Sequence, residues 1–130
     1  DQFIQLVLRH DIHPSQIEVE ITETTALNHK SELIDILNKL RKHEIRVALD
    51  DFGSGYSSLN VLKEVPVDIL KLDRIFFVNE ATKRSNDVVQ SVIELAKKLD
   101  METVAEGIET IPQVESLKKM KLKIFNIHKL

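Results

Sequence analysis

Apolar positions along the chain switch repeatedly between two periods. Phe3, Leu6, Val7 and the stem of His10 fall on one helical face, so residues 1–10 read as the end of a helix. Ile17, Val19 and Ile21 then alternate with Glu18 and Glu20, the period-two pattern of a strand. From Ser31 to His43 the spacing is helical again, with Leu33, Ile34, Ile36, Leu37 and Leu40 on the apolar stripe. Ser31 suits its N-cap, and Lys39, Arg41 and Lys42 suit the carbonyl end of the helix dipole. The unit then repeats. Strands are predicted over 45–49, 67–72, 101–105 and 122–127. Helices are predicted from Ser57 or Ser58 to Glu64, over 86–99, and over 112–120 with Pro112 at its start.

Strands that alternate with helices predict an α/β fold with a parallel sheet and right-handed crossovers. An open doubly wound sheet and a (β/α) barrel compete. No G-x-G-x-x-G follows a strand, which removes the main support for a dinucleotide-binding sheet. Charge placement favours the barrel. Glu20, the pair Asp50-Asp51, Lys71 and Glu106 fall at or just beyond the C-terminal ends of four different strands, the rim where barrels hold their active sites. A single carboxylate there is more often a solvated turn residue or a helix cap. Four charged strand ends in succession point to a site.

Composition narrows the chemistry. The 130 residues are 42% hydrophobic and 30% charged, with 3 Gly and 3 Pro, which excludes a disordered or collagen-like chain. Eighteen basic against 21 acidic residues give −3, so nothing favours polymeric nucleic acid or an anionic membrane as partner. The absence of cysteine excludes disulfide scaffolds, Cys-type zinc sites and thiol catalysis, and suits a cytoplasmic location. No apolar run approaches the roughly 20 residues of a membrane span, and no signal peptide is expected. Four carboxylates around one mouth repel unless cations lie between them. Oxygen ligands without His or Cys point to Mg²⁺ or Mn²⁺, with Ca²⁺ as a substitute. Asp50 and Asp51 can converge only if the chain turns at once, and Gly53 and Gly55 follow them. Asp50 could then bridge two ions while Asp51 reaches one, and two cations about 3.5–4 Å apart are a common device for phosphodiester hydrolysis.

Four separated motifs, in order, resemble those of the EAL domain family of bacterial cyclic-di-GMP phosphodiesterases. They are Ile17-Glu18-Val19-Glu20-Ile21-Thr22-Glu23, Asp50-Asp51-Phe52-Gly53-Ser54-Gly55-Tyr56-Ser57-Ser58-Leu59, Asp68-Ile69-Leu70-Lys71-Leu72-Asp73 and Ala105-Glu106-Gly107-Ile108-Glu109-Thr110. The resemblance implies a TIM-like barrel that opens cyclic di-GMP to linear pGpG with two Mg²⁺ or Mn²⁺ ions. It implies that Glu20 binds one metal, Asp50 bridges both and Asp51 binds the second. Lys71 would orient the attacking water and offset phosphate charge, and Glu106 would act as general base or position the water. Glu23 would anchor the loop beginning at Asp51, whose region over Asp51–Ser58 would also form a homodimer. Glu109 would have a supporting role.

Departures from the family pattern shape a further expectation. The Glu-Ala-Leu triplet and a following Asn ligand, both earlier in the family pattern, do not occur in this sequence. The family's Gln-Gly falls at Asn126-Ile127, where Asn126 keeps a shorter amide for substrate and Ile127 replaces a flexible glycine. Residues 1–130 are therefore expected to form the C-terminal part of the barrel, about five of its eight strands. Without these two metal ligands, the chain is expected to turn over little or nothing alone. The alternative is a non-catalytic remnant that binds cyclic di-GMP or docks a protein partner. Glu18 and Arg46, beneath the metal positions, are expected to pair.

Overall fold

Five parallel strands pair in the order in which they occur along the chain. They are β1 (Glu18–Thr22), β2 (Arg46–Phe52), β3 (Ile69–Leu72), β4 (Glu102–Ala105) and β5 (Lys123–Ile124). A computed structural model describes residues 2–53, 59–77 and 82–120, together with the backbone of 123–124. Helices α1 (Gln2–Arg9), α2 (Glu23–Asn28), α3 (Lys30–Lys42), α4 (Leu59–Glu64), α5 (Lys83–Lys98) and α6 (Ile111–Lys119) separate the strands. Sequential parallel order with intervening helices is the arrangement of a (β/α) barrel wall.

The two faces of the sheet differ in chemistry, as the pleat requires. Val47 and Leu49 of β2, Leu70 and Leu72 of β3 and Ala105 of β4 face a large core shared with Leu37, Val61, Ile93, Ala96 and Leu117 of the helices. The opposite face carries a small apolar cluster of Ala48, Ile69 and Val104. By the same alternation that face also carries Glu18 and Glu20, Arg46 and Asp50, Lys71, and Glu102. One face therefore holds the fold together, and the other is free to do chemistry.

Three local features depart from the reading of the sequence. Helix α2 was not expected. Its Thr-rich run has modest helix propensity, but Thr22 caps it by accepting from the Thr25 N–H at 3.2 Å. Helix α5 begins at Lys83, three residues before Asn86, because Thr82 accepts from the Ser85 N–H at 3.0 Å. Strand β2 runs on through Asp50 and Asp51 to Phe52, past the end expected at Leu49.

Candidate functional site

The carboxylates of β2 are delivered by a bulge. Leu49 pairs with Leu70 and Phe52 with Leu72, so two residues, Asp50 and Asp51, oppose the single residue Lys71. Leu49 and Phe52 both face the helix-side core, although strict alternation would put residues three apart on opposite faces. The extra residue is absorbed at Asp51, whose φ is +56°. Aspartate tolerates this left-handed region better than most residues, and the Asp51 N–H is held at 3.0 Å by Asp50 Oδ1. The turn that lets two adjacent aspartates converge is thus made by Asp51 itself, ahead of Gly53.

Gly53 has a different task. At φ +96° it lies so close to Phe76 that a Cβ there would come within 2.1 Å of ring atom Cε2. Phe76 stacks on Phe52, with ring centroids 6.3 Å apart, so the strand exit and the segment after β3 are packed together. Glu23, 5% exposed at the start of α2, accepts from the Gly53 N–H at 3.4 Å.

Asp50, Asp51 and Glu106 offer carboxylate oxygens that all lie within 4.8 Å of one another. Burial, then the charge of Asp50 and a hydrogen bond with it, pushes Glu106 up to about 7. Burial also raises Asp51, followed by the charges of Asp50 and Asp73 and a hydrogen bond with Asp73. Burial and the crowding of like charges both raise these carboxyls, the electrostatic setting of a place for a cation. The donors are hard oxygens alone, which fits Mg²⁺, Mn²⁺ or Ca²⁺ and not a soft metal. Glu106 belongs to this carboxylate group geometrically, so it could serve as a ligand as readily as the base inferred from its motif.

Lys71 stands beside the cluster. Its ammonium is paired with Glu20, lies 3.3 Å from Glu18 Oε1 and 3.8 Å from Glu106 Oε1. Burial, the largest single influence, works against its charge, but the bonds and charges of Glu20 and Glu18 together outweigh it and raise its pKa. Glu20 therefore meets Lys71, and it lies outside the clustered carboxylates. Glu109 is exposed at the entry to α6, also outside the cluster, and its N–H donates to Gln113 Oε1 at 2.9 Å. Asn126 and residues 54–58 lie outside the described residues.

The pairing expected between Glu18 and Arg46 does not form. Their backbones are in register, but Arg46 pairs with Glu102 and Glu18 turns to Lys71. Sequence alternation placed all four side chains on one face; it could not choose partners among them. Asp73 was missed as a site residue. It accepts from the Ile75 N–H at 3.0 Å and reaches Asp51, and its position two residues after Lys71 on the same face was the available signal. Asp68, which opens the same motif, sits at the entry to β3. It accepts from the Val47 N–H at 2.9 Å and lies 3.4 Å from Arg41 Nε, fixing β2 against β3.

The sequence profile of the EAL domain matches residues 1–126. The chain belongs to the EAL domain family. It is 38% identical over 122 residues to the bifunctional diguanylate cyclase/cyclic di-GMP phosphodiesterase MucR of Pseudomonas aeruginosa, covering 92% of this chain and 18% of MucR. The probable cyclic di-GMP phosphodiesterase PdeB of Escherichia coli is 40% identical over 114 residues, which is 88% of this chain and 21% of PdeB. The solved MucR phosphodiesterase in complex with c-di-GMP superimposes with a TM-score of 0.81 at 35% identity, covering 95% of this chain and 51% of that one. BlrP1 of Klebsiella pneumoniae, solved with calcium and cyclic di-GMP, gives a TM-score of 0.87 at 27% identity, covering 96% of this chain and 32% of that one. It has also been solved with manganese. The chain spans about a fifth of the length of MucR and PdeB. The five-stranded parallel sheet is consistent with part of the TIM-like barrel of EAL domains.

Proposed function

We propose that the strand-end cluster is the catalytic centre of a cyclic-di-GMP phosphodiesterase domain, formed by residues 1–130 as part of an EAL barrel. The observation that carries this reading is the convergence of Asp50, Asp51 and Glu106 within 4.8 Å, with the Lys71 ammonium 3.8 Å from Glu106. Relatives named as cyclic di-GMP phosphodiesterases and EAL structures holding calcium or manganese with the dinucleotide support it. Asp50 and Asp51 would hold Mg²⁺ or Mn²⁺, with Glu106 and Glu20 closing the site. Cations held there would polarise the phosphate and provide a nucleophile at neutral pH. Lys71 places positive charge beside the phosphate oxygens and orients the attacking water, and Glu106 accepts that water's proton when it is not itself a ligand. Glu23 anchors the chain leaving Asp51, and the 51–58 region forms a homodimer in the cytoplasm.

Among the described residues only three carboxylates cluster, fewer than two hard cations require. The chain alone should therefore bind its second cation weakly and turn over slowly. Incubation with cyclic di-GMP and Mn²⁺ should yield pGpG slowly, and Asp50→Asn or chelation should remove that product. Product formation unaffected by either would overturn the reading.

A further inference from the structure

The Lys71 side chain is 12% exposed, and β1 divides its ammonium between two carboxylates. Glu18 and Glu20 lie two residues apart on one face of β1, so Glu20 is nearer the rim and Glu18 one pleat deeper. The Lys71 ammonium is paired with Glu20, and Glu18 Oε1 is 3.3 Å away. Among the described residues Lys71 is Glu18's ion-pair partner. Glu18 is outside the carboxylate cluster and short of the strand end.

A divalent cation drawn to the cluster changes this balance. With a cation held there, Glu20 would be drawn toward it and the ammonium repelled, so the lysine would lose its closest partner. An ammonium at 12% exposure has little water to replace that partner. We propose that Glu18 is a positioning residue that receives Lys71 when Glu20 turns to metal, holding the ammonium beside Glu106. Glu18 thereby lowers the cost of vacating Glu20 and strengthens cation binding through Lys71, without touching the cation. The inference rests on the metal-site reading above.

Mn²⁺ titration calorimetry of the chain and five variants tests it. Glu18→Gln should weaken Mn²⁺ binding about fivefold in the parent chain and hardly at all in Lys71→Met, because the effect passes through the lysine. Equal weakening in both backgrounds would mean that Glu18 acts by its charge alone, and would overturn the proposal. So would no weakening in either. Glu18→Asp keeps the charge and withdraws it by one methylene, so it should give an intermediate loss; affinity equal to the parent would count against a contact. Failure of the metal-site reading looks different, since Asp50→Asn would then leave Mn²⁺ affinity unchanged.

Discussion

Asp51 at φ +56° shows how one residue's backbone can set a site. With ordinary strand geometry its carboxylate would have pointed toward Leu49 and Phe52, into the helix-side core. The bulge keeps it with Asp50 and Glu106, and burial, followed by the charges brought together there, raises the proton affinity of Asp51 and Glu106. Glu106, raised from 4.5 to about 7, binds its proton more tightly in the folded chain than in the unfolded one. Its contribution to stability is therefore complete below about pH 4.5 and is lost as pH rises through about 7. Protein freed of metal by chelation should lose stability across that window, by less than the roughly 3 kcal/mol that a rise of this size would carry without solvent screening. Thermal unfolding should show Glu106→Gln with a flatter profile, and an unchanged profile would remove the burial and crowding argument. The sequence made the paired aspartates visible, but it attributed their convergence to Gly53 and Gly55. The strain sits on a residue with no glycine signature.

At the scale of elements, two helix-to-strand junctions are built alike. Two residues beyond helix α3 lies Glu44 at φ +63°, and two beyond α5 lies Asp100 at φ +57°. The Ile45 N–H donates to the Leu40 carbonyl at 3.1 Å, and the Met101 N–H to the Ala96 carbonyl at 2.8 Å. Both are Schellman closures, in which glycine is the preferred left-handed residue and a following apolar side chain packs inward. Ile45 and Met101 do pack inward, at 1% and 7% exposure. Glu44→Gly should therefore stabilise the chain by about 0.5–1 kcal/mol, and Asp100→Gly by less, since Asp suits this region better than Glu. Urea unfolding decides this, and a destabilised Glu44→Gly would contradict the capping argument. Helices α3 and α5 and all five strands were legible from periodicity. Helix α2 was not, because a six-residue helix carries too little periodicity to stand out from Thr-rich sequence. The tie from Gln113 Nε2 to the Phe77 carbonyl, 2.6 Å long, was likewise invisible, since it joins α6 to the segment after β3 across 36 residues.

At the scale of the whole molecule, the sheet separates structure from chemistry. Its helix-side face is mostly apolar, while the opposite face carries Glu18, Glu20, Arg46, Asp50, Lys71, Glu102 and Glu106 around the cluster of Ala48, Ile69 and Val104. Period-two alternation made that division legible, and the strand ends located the site. The partners within the charged face were beyond the sequence, because they depend on how side chains one pleat apart share a cation. Glu18 could have reached Arg46 in its own register and instead joins Lys71 two strands away. The central claim is that this face gathers Asp50, Asp51 and Glu106 to hold a divalent cation for phosphodiester hydrolysis. Mn²⁺ titration of the parent chain against Asp50→Asn tests it most directly. The account predicts saturable binding in the parent chain and at least a roughly tenfold loss in the variant, as removal of a charged ligand to the cation demands. Equal affinity in the two proteins would contradict it.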